Sequence, residues 1–207
     1  MIQWSIQAAL KSDMFDHIMV STDDEEIATV SRKAGATTPF LRPIELADDF
    51  TPTVPVIAHA LAWAEQNIGD IKSVCCIYAT APFIRAEDIV LGAKMLERTG
   101  ADYSFPVTSF PFPVQRGIRL TDEGRAEMLS PEFTLTRSQD LEEAYHDVGQ
   151  FYWGQRDAWA NGHNLMGPNA APLIIERYRA QDIDTPEDWK RAEIMFQVIK
   201  QMEKPAK

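Results

Sequence analysis

Short apolar runs and amphipathic helical stretches alternate through the first hundred residues. That rhythm constrains the fold more than any other feature of the chain. HIMVS (17–21) is apolar and bounded by polar residues, as a buried strand is. Thr22 and Asp23 are N-cap types, Glu25 and Glu26 follow three positions later, and Gly35 stands where a helix would stop. Those signals predict a helix over about 24–34. TTPFL (37–41) reads as a second strand, followed by a polar loop. Pro55 suits a first helical turn, and Val56, Ile57, Ala60, Leu61 and Ala64 share one face of a helix running to about Gln66. SVCCIY (73–78) is the most continuously apolar run and reads as a central parallel strand. A further amphipathic helix over 86–98 ends before Gly100.

From 102 the rhythm changes. Prolines stand at 106, 111, 113 and 131, and a turn at Thr121–Gly124 separates two strand-like runs, which predicts a hairpin lobe over 108–140. FYW (151–153) and LIIERY (173–178) are further short strands, and Pro186 opens a last helix to about Met202. No internal repeat is visible. The expected architecture is α/β: one domain over 1–207, with a mostly parallel sheet flanked by helices and a small hairpin lobe. Ligands in such sheets sit beyond the carboxyl ends of the strands. That singles out Thr22–Asp24, Arg42 onward, and Tyr78–Arg85. The opening is odd: Ile2, Ile6, Ala9 and Leu10 form an apolar helical stripe with nothing before it to cap it. It is either a frayed amphipathic start or a helix whose preceding strand is missing.

Composition narrows the partners. The chain has 207 residues, 20 basic and 31 acidic, for a net charge of −11, with 45% hydrophobic and 25% charged residues. That is globular usage and excludes a disordered chain. The charge argues against nucleic acid or an anionic membrane as partner. No apolar run has the length to span a bilayer, and MIQWSIQAALKSD has neither a basic n-region nor a cleavage site. The only cysteines, Cys75 and Cys76, are adjacent and make no disulfide framework, which points to a reducing cytoplasm.

Five segments carry polar groups that chemistry can use. Asp182 and Asp184 lie two apart, so in extended backbone their carboxylates point the same way, just before a helix. They either hold Mg²⁺ with nucleotide phosphates or serve the start of the Pro186 helix, where Thr185 can cap. In the loop RPIELADDFTPT, Arg42 can meet a phosphate or a base edge, and Thr51 and Thr53 supply hydroxyls; the alternative is a solvated loop. YATAPFIR places Tyr78, Thr80, Ala81 and Arg85 beyond the most apolar strand, where small residues admit a ligand, or where a plain strand-to-helix turn lies. YHDVGQFYW brings Tyr145, His146, Gln150 and Tyr152 together, as a sugar-acid pocket does and as a core strand after a turn also does. Arg137 either meets an acidic substrate or forms a surface ion pair. His17, His59 and His163 have no metal-ligand spacing.

In order, STDDEEIA, FLRPIELADDFTPTVPVIAHAL, YATAPFIR, TRSQDLEEAYHDVGQFYWG and QDIDTPEDW resemble the cytidylyltransferases that activate nine-carbon sugar acids. The resemblance covers essentially the whole chain. Val148-Gly149-Gln150 stands where the sialic acid enzymes show an N-G-A-type segment, which implies pseudaminic acid as acceptor, in flagellin glycosylation, rather than sialic or legionaminic acid. The resemblance implies that the anomeric hydroxyl of the acid attacks the α-phosphorus of CTP, releasing pyrophosphate and giving a CMP-sugar, with Mg²⁺ neutralising charge. It places Asp182 and Asp184 at the metal. Arg42, Thr51, Thr53, Thr80 and Ala81 fall by the nucleotide, and Tyr78, Arg137, Tyr145, His146, Gln150 and Tyr152 by the sugar acid. It also implies a homodimer, with the lobe reaching into the partner.

The family pattern opens with a strand and a basic, glycine-rich loop of the type IPARGGSKRIPxKNI that grips the triphosphate. This sequence starts at the helix after it, so impaired catalysis is an expectation for the chain as given. A non-catalytic sugar-acid-binding or assembly protein is the alternative of another class. A glycosyltransferase using Asp182-Ile183-Asp184 as its metal pair is a third reading, disfavoured because the pair stands beside the final helix.

Overall fold

The chain's helices begin and end on their capping chemistry. The Asp24 carboxylate, one residue after the expected caps, accepts from the Ile27 amide at 2.9 Å, and Gly35 closes the helix with φ 105°. The computed structural model describes residues 1–202. Three helices, α1 (Ile2–Ser12), α2 (Glu25–Ala34) and α3 (Thr53–Asn67), precede strand β1 (Ser73–Ile77). Then come α4 (Ala86–Thr99), β2 (Tyr103–Ser109) and the hairpin β3 (Ile118–Leu120) and β4 (Ala126–Met128). β5 (Tyr145–Asp147), β6 (Phe151–Gln155), α5 (Arg156–Ala160), β7 (Ala170–Ile174) and α6 (Pro186–Met202) complete the order. None of these helices is long and apolar enough to cross a membrane.

The α/β class holds, but the sheet is not mostly parallel. Its order is β1-β6-β2-β5, with β7 also paired to β2. β6 runs antiparallel to both β1 and β2, β5 is antiparallel to β2, and only β7 is parallel to its neighbour. The reason is insertion. The β1-α4-β2 crossover does give two strands of one direction, as the alternation requires. The chain then returns from the lobe and threads β6 between them in the opposite sense. β1 is therefore the end strand of the described sheet rather than a central one.

The two runs read as strands at 17–21 and 37–41 touch only through two isolated parallel bridges, Met19 with Thr37 and Thr22 with Leu41. The register slips by one residue between the bridges, and Pro39, lying in that interval, has no amide to donate. The ladder breaks there. The strand expected over 173–178 comes earlier, at Ala170–Ile174, and the chain then turns through a 3₁₀ segment at Arg177–Arg179.

The pleat divides the core between the two faces. Phe151 and Trp153 point to one side with Ile89 and Leu96 of α4. Tyr152 points to the other, with Leu61, Tyr103, Phe105 and Trp159. Burying each such large side chain contributes about 1.5–3 kcal/mol. Gly92 lets α4 settle on β6, because a Cβ there would lie 2.7 Å from the Phe151 ring. Behind this layer Arg179 and Asp88 form a buried ion pair, and the Gln150 amide donates to the Arg179 carbonyl at 2.7 Å.

Candidate active site

β5, the turn at 148–150 and β6 bring their polar groups to one end of the sheet. The Asp147 carboxylate accepts from the Gly149 amide through Oδ1 at 3.1 Å and from the Tyr152 hydroxyl through Oδ2. Gly149 has φ 59°. A Cβ there would stand 3.4 Å from the Asp182 carboxylate, an ordinary contact distance, so the positive φ of the turn is what calls for glycine and the Asp182 carboxylate lies against it. The Tyr152 ring lies 5.4 Å from the Tyr78 ring. The Tyr78 hydroxyl and Thr53 Oγ1 share a hydrogen bond of 2.6 Å. Thr53, Tyr78, Tyr152, Asp147, Gly149 and Asp182 thus form one connected path, from the first residue of α3 to the segment before α6.

The acidic end of this path divides its labour. Thr185 and Asp188 form a reciprocal cap: Thr185 Oγ1 accepts from the Asp188 amide at 3.2 Å, and Asp188 Oδ2 accepts from the Thr185 amide at 3.0 Å. The Asp184 amide also donates to Asp188 Oδ2, at 3.4 Å, but the carboxylates of Asp182 and Asp184 stay out of the capping. Asp182 accepts the Ile183 amide through Oδ1 at 3.0 Å. Among the described residues its other oxygen, and both oxygens of Asp184, accept nothing. Partial burial, then the neighbouring charges of Asp184, Asp147 and Asp188, raise the Asp182 carboxyl above the usual range. Two such carboxylates side by side suit a hard divalent cation. No group of three His, Cys, Asp or Glu among the described residues is arranged for one, so the remaining ligands would be phosphate oxygens and water.

The other candidates spread around this path. The Arg42 guanidinium reaches Asp23 at 3.3 Å, and its Nε is buried without a partner. Ser21 Oγ, at the end of the same bridged segment, is buried without one as well. Buried donors of this kind await an acceptor. Thr51 is used inside its loop: Asp48 accepts from its hydroxyl at 2.7 Å and from the Phe50 and Thr51 amides. Thr80 is exposed and Ala81 buried in the turn after β1. Gln150 is 0% exposed and Tyr152 is 3%, so both support the site from the core and neither presents a wall to a ligand. His146 turns its Nδ1 to the Asp147 carbonyl at 2.8 Å, and its ring lies tilted against Phe110 with centroids 4.8 Å apart. Tyr145 binds Glu143 and stays exposed. Arg137 is engaged by Asp140 at 2.7 Å on the surface, the ion pair its alternative reading expected. Burial pushes the Cys76 thiol up to about 12 and the Cys75 thiol well above its usual value, so neither is a nucleophile at neutral pH.

Asp147 and Ser21 escaped the sequence reading. Asp147 lies inside the YHDVGQFYW block, yet nothing in the spacing shows that its carboxylate would face both Tyr152 and the Asp182 segment, 35 residues further on.

Comparison with known proteins adds three findings. A model of the cytidylyltransferase family matches residues 1–191. A pseudaminic acid cytidylyltransferase of Campylobacter jejuni is 34% identical over 198 residues, covering 96% of this chain and 85% of the relative, and a CMP-N,N′-diacetyllegionaminic acid synthase of the same species is 28% identical over 95% and 83%. Among solved structures, a CMP:2-keto-3-deoxy-manno-octonic acid synthetase complexed with CTP superposes with a TM-score of 0.66 at 14% identity, covering 97% of this chain and 88% of that one.

Proposed function

The chain belongs to the cytidylyltransferase family, and from that premise we propose that it transfers CMP from CTP to pseudaminic acid, releasing pyrophosphate. One observation carries the reading: among the described residues Asp182 and Asp184 keep three unengaged carboxylate oxygens, and the Asp182 carboxylate lies against the Gly149 turn. Mg²⁺ bound there would neutralise the charge of the triphosphate as its α-phosphorus is attacked. The chain's own residues do the rest. Arg42, with an unpartnered Nε, and the unpartnered Ser21 hydroxyl offer polar groups to the nucleotide at the end of the bridged segments. Thr53, at the start of α3, ties that loop to Tyr78. Positioning of the two substrates supplies most of the acceleration in a reaction of this type.

The acceptor is assigned by the Asp147-Val148-Gly149-Gln150 turn and by the similarity to pseudaminic acid cytidylyltransferases. The enzyme acts in the cytoplasm, where its two free cysteines stay reduced. It works as a homodimer joined through the lobe, whose Phe112, Leu120 and Leu135 are 79%, 74% and 95% exposed. The test is pyrophosphate release from CTP and Mg²⁺ with pseudaminic, legionaminic and N-acetylneuraminic acids in parallel. The expected result is the highest kcat/KM with pseudaminic acid. No release with any of the acids, or the highest value with N-acetylneuraminic acid, overturns the assignment.

A further inference from the structure

Asp147 differs from the neighbouring aspartates in one respect: both of its oxygens are already engaged. Oδ1 holds the Gly149 amide and Oδ2 holds the Tyr152 hydroxyl. Asp182 has one oxygen engaged, by its own neighbour Ile183, and Asp184 has none among the described residues. A carboxylate in use on both sides is built to hold protein in place rather than to take up an ion. What it holds is informative. The Gly149 amide belongs to the turn against which the Asp182 carboxylate rests, since a Cβ built on Gly149 would meet that carboxylate at an ordinary contact distance of 3.4 Å. Tyr152 is buried between Phe105 and Tyr78, with ring centroids 5.6 and 5.4 Å away. Tyr78 in turn hydrogen-bonds Thr53 at the start of α3. The strand that carries Asp147 is itself pinned, since β5 pairs with β2 in the register Val107 with Asp147.

We propose that Asp147 is a positioning residue for the Asp182–Asp184 pair. It clamps the 148–150 turn to β6 and so sets the height and spacing of the two carboxylates, while the same clamp steadies Tyr78 and Thr53 on the nucleotide side. The inference rests on reading Asp182 and Asp184 as the cation-holding pair. Groups that orient ligands from behind typically change metal affinity by about 10–100-fold when removed.

The test uses the full chain and measures Mn²⁺ uptake in the presence of CTP, by electron paramagnetic resonance and by calorimetric titration. Asp147→Ala is expected to weaken Mn²⁺ binding by about 10–100-fold. Asp147→Asn keeps an acceptor for the Gly149 amide and a polar partner for the Tyr152 hydroxyl, so it is expected to restore affinity to within a few-fold of the parent. A direct ligand would not be rescued that way, so loss in the asparagine variant as large as in the alanine variant overturns the proposal. Unchanged Mn²⁺ binding by a folded Asp147→Ala protein overturns it too. Should Asp147→Ala fail to fold, Tyr152→Phe decides: it removes one hydroxyl and keeps the ring, a several-fold weaker uptake supports the clamp, and no change overturns it. The parent separates this proposal from the functional assignment. Mn²⁺ uptake with the expected variant pattern, but no pyrophosphate release with any of the acids, sinks the assignment and leaves the clamp standing. No Mn²⁺ held beyond what free CTP holds sinks both.

Discussion

The sheet body and the hairpin lobe solve the same problem in opposite ways. In the body, β6 has a neighbour on each edge and packed side chains on each face, with Phe151 and Trp159 fully buried. In the lobe, β3 and β4 pair only with each other among the described residues. Arg119 and Glu127 face each other across that ribbon with a 2.8 Å ion pair, while Ile118 and Leu120 lie on its opposite face and are exposed. An isolated two-stranded ribbon is marginal in water. The body is held by its own core, whereas the lobe presents apolar side chains that its own chain does not cover.

Four measurements break or sharpen that contrast. The largest effect belongs to the body: Arg179→Ala leaves the Asp88 charge buried and unpaired, and should cost about 3–5 kcal/mol in a denaturant titration. Gly154→Ala comes next. Its Cβ would lie 2.3 Å from Trp159 Nε1 and 2.7 Å from the Tyr103 ring, so overpacking should cost about 1–3 kcal/mol by the same titration. Leu120→Ser in the lobe should change monomer stability by no more than about 0.5 kcal/mol, because its side chain is 74% exposed. If the lobe joins two copies, that substitution should still shift sedimentation toward the monomer. A loss of 2 kcal/mol or more would show that the lobe is packed like the body.

The smallest effect is read against pH. A backbone hydrogen bond at Glu176, and then the Arg179 guanidinium at 2.5 Å, lower the Glu176 carboxyl below its usual range. A carboxyl lowered in the folded state contributes stability that is present above its unfolded value, about 4.3, and lost as pH falls through the folded one. Glu176→Gln should therefore make the acid limb of stability shallower below about pH 4.3. A limb of unchanged slope would show that the pair with Arg179 is not felt by the fold.

How much of this was legible depends on range. The helices were readable because their signals are local: Asp24 and Gly35 bound α2, Gly100 ends α4, and Pro186 opens α6. The strand order was not. Nothing in FYW announces that β6 inserts between β1 and β2, since that depends on pairing with residues about 50 and 80 positions earlier. The broken ladder at 37–41 was partly written in Pro39, which an apolar-run reading passes over. At the site, the two-residue spacing of Asp182 and Asp184 was visible, and so was the cap at Thr185. The Asp147 clamp was not, because it joins three segments that only the folded sheet brings together. Gln150 and Tyr152 were legible as residue types but not as buried ones: alternation in β6 sends Tyr152 into one core and Phe151 into the other.

The place of β6 also sets a schedule for synthesis. β1 and β2 are both made by residue 109, but the strand that joins them is not complete until residue 155. At roughly 5–20 residues per second, the nascent chain waits on the order of seconds with both strands unjoined. The β3–β4 hairpin of the lobe, whose strand pairs run no wider than Ile118 with Met128, can form during that wait. Body and lobe thus differ in when they fold as well as in how they hold, and the vulnerable interval for aggregation falls while the lobe is being made.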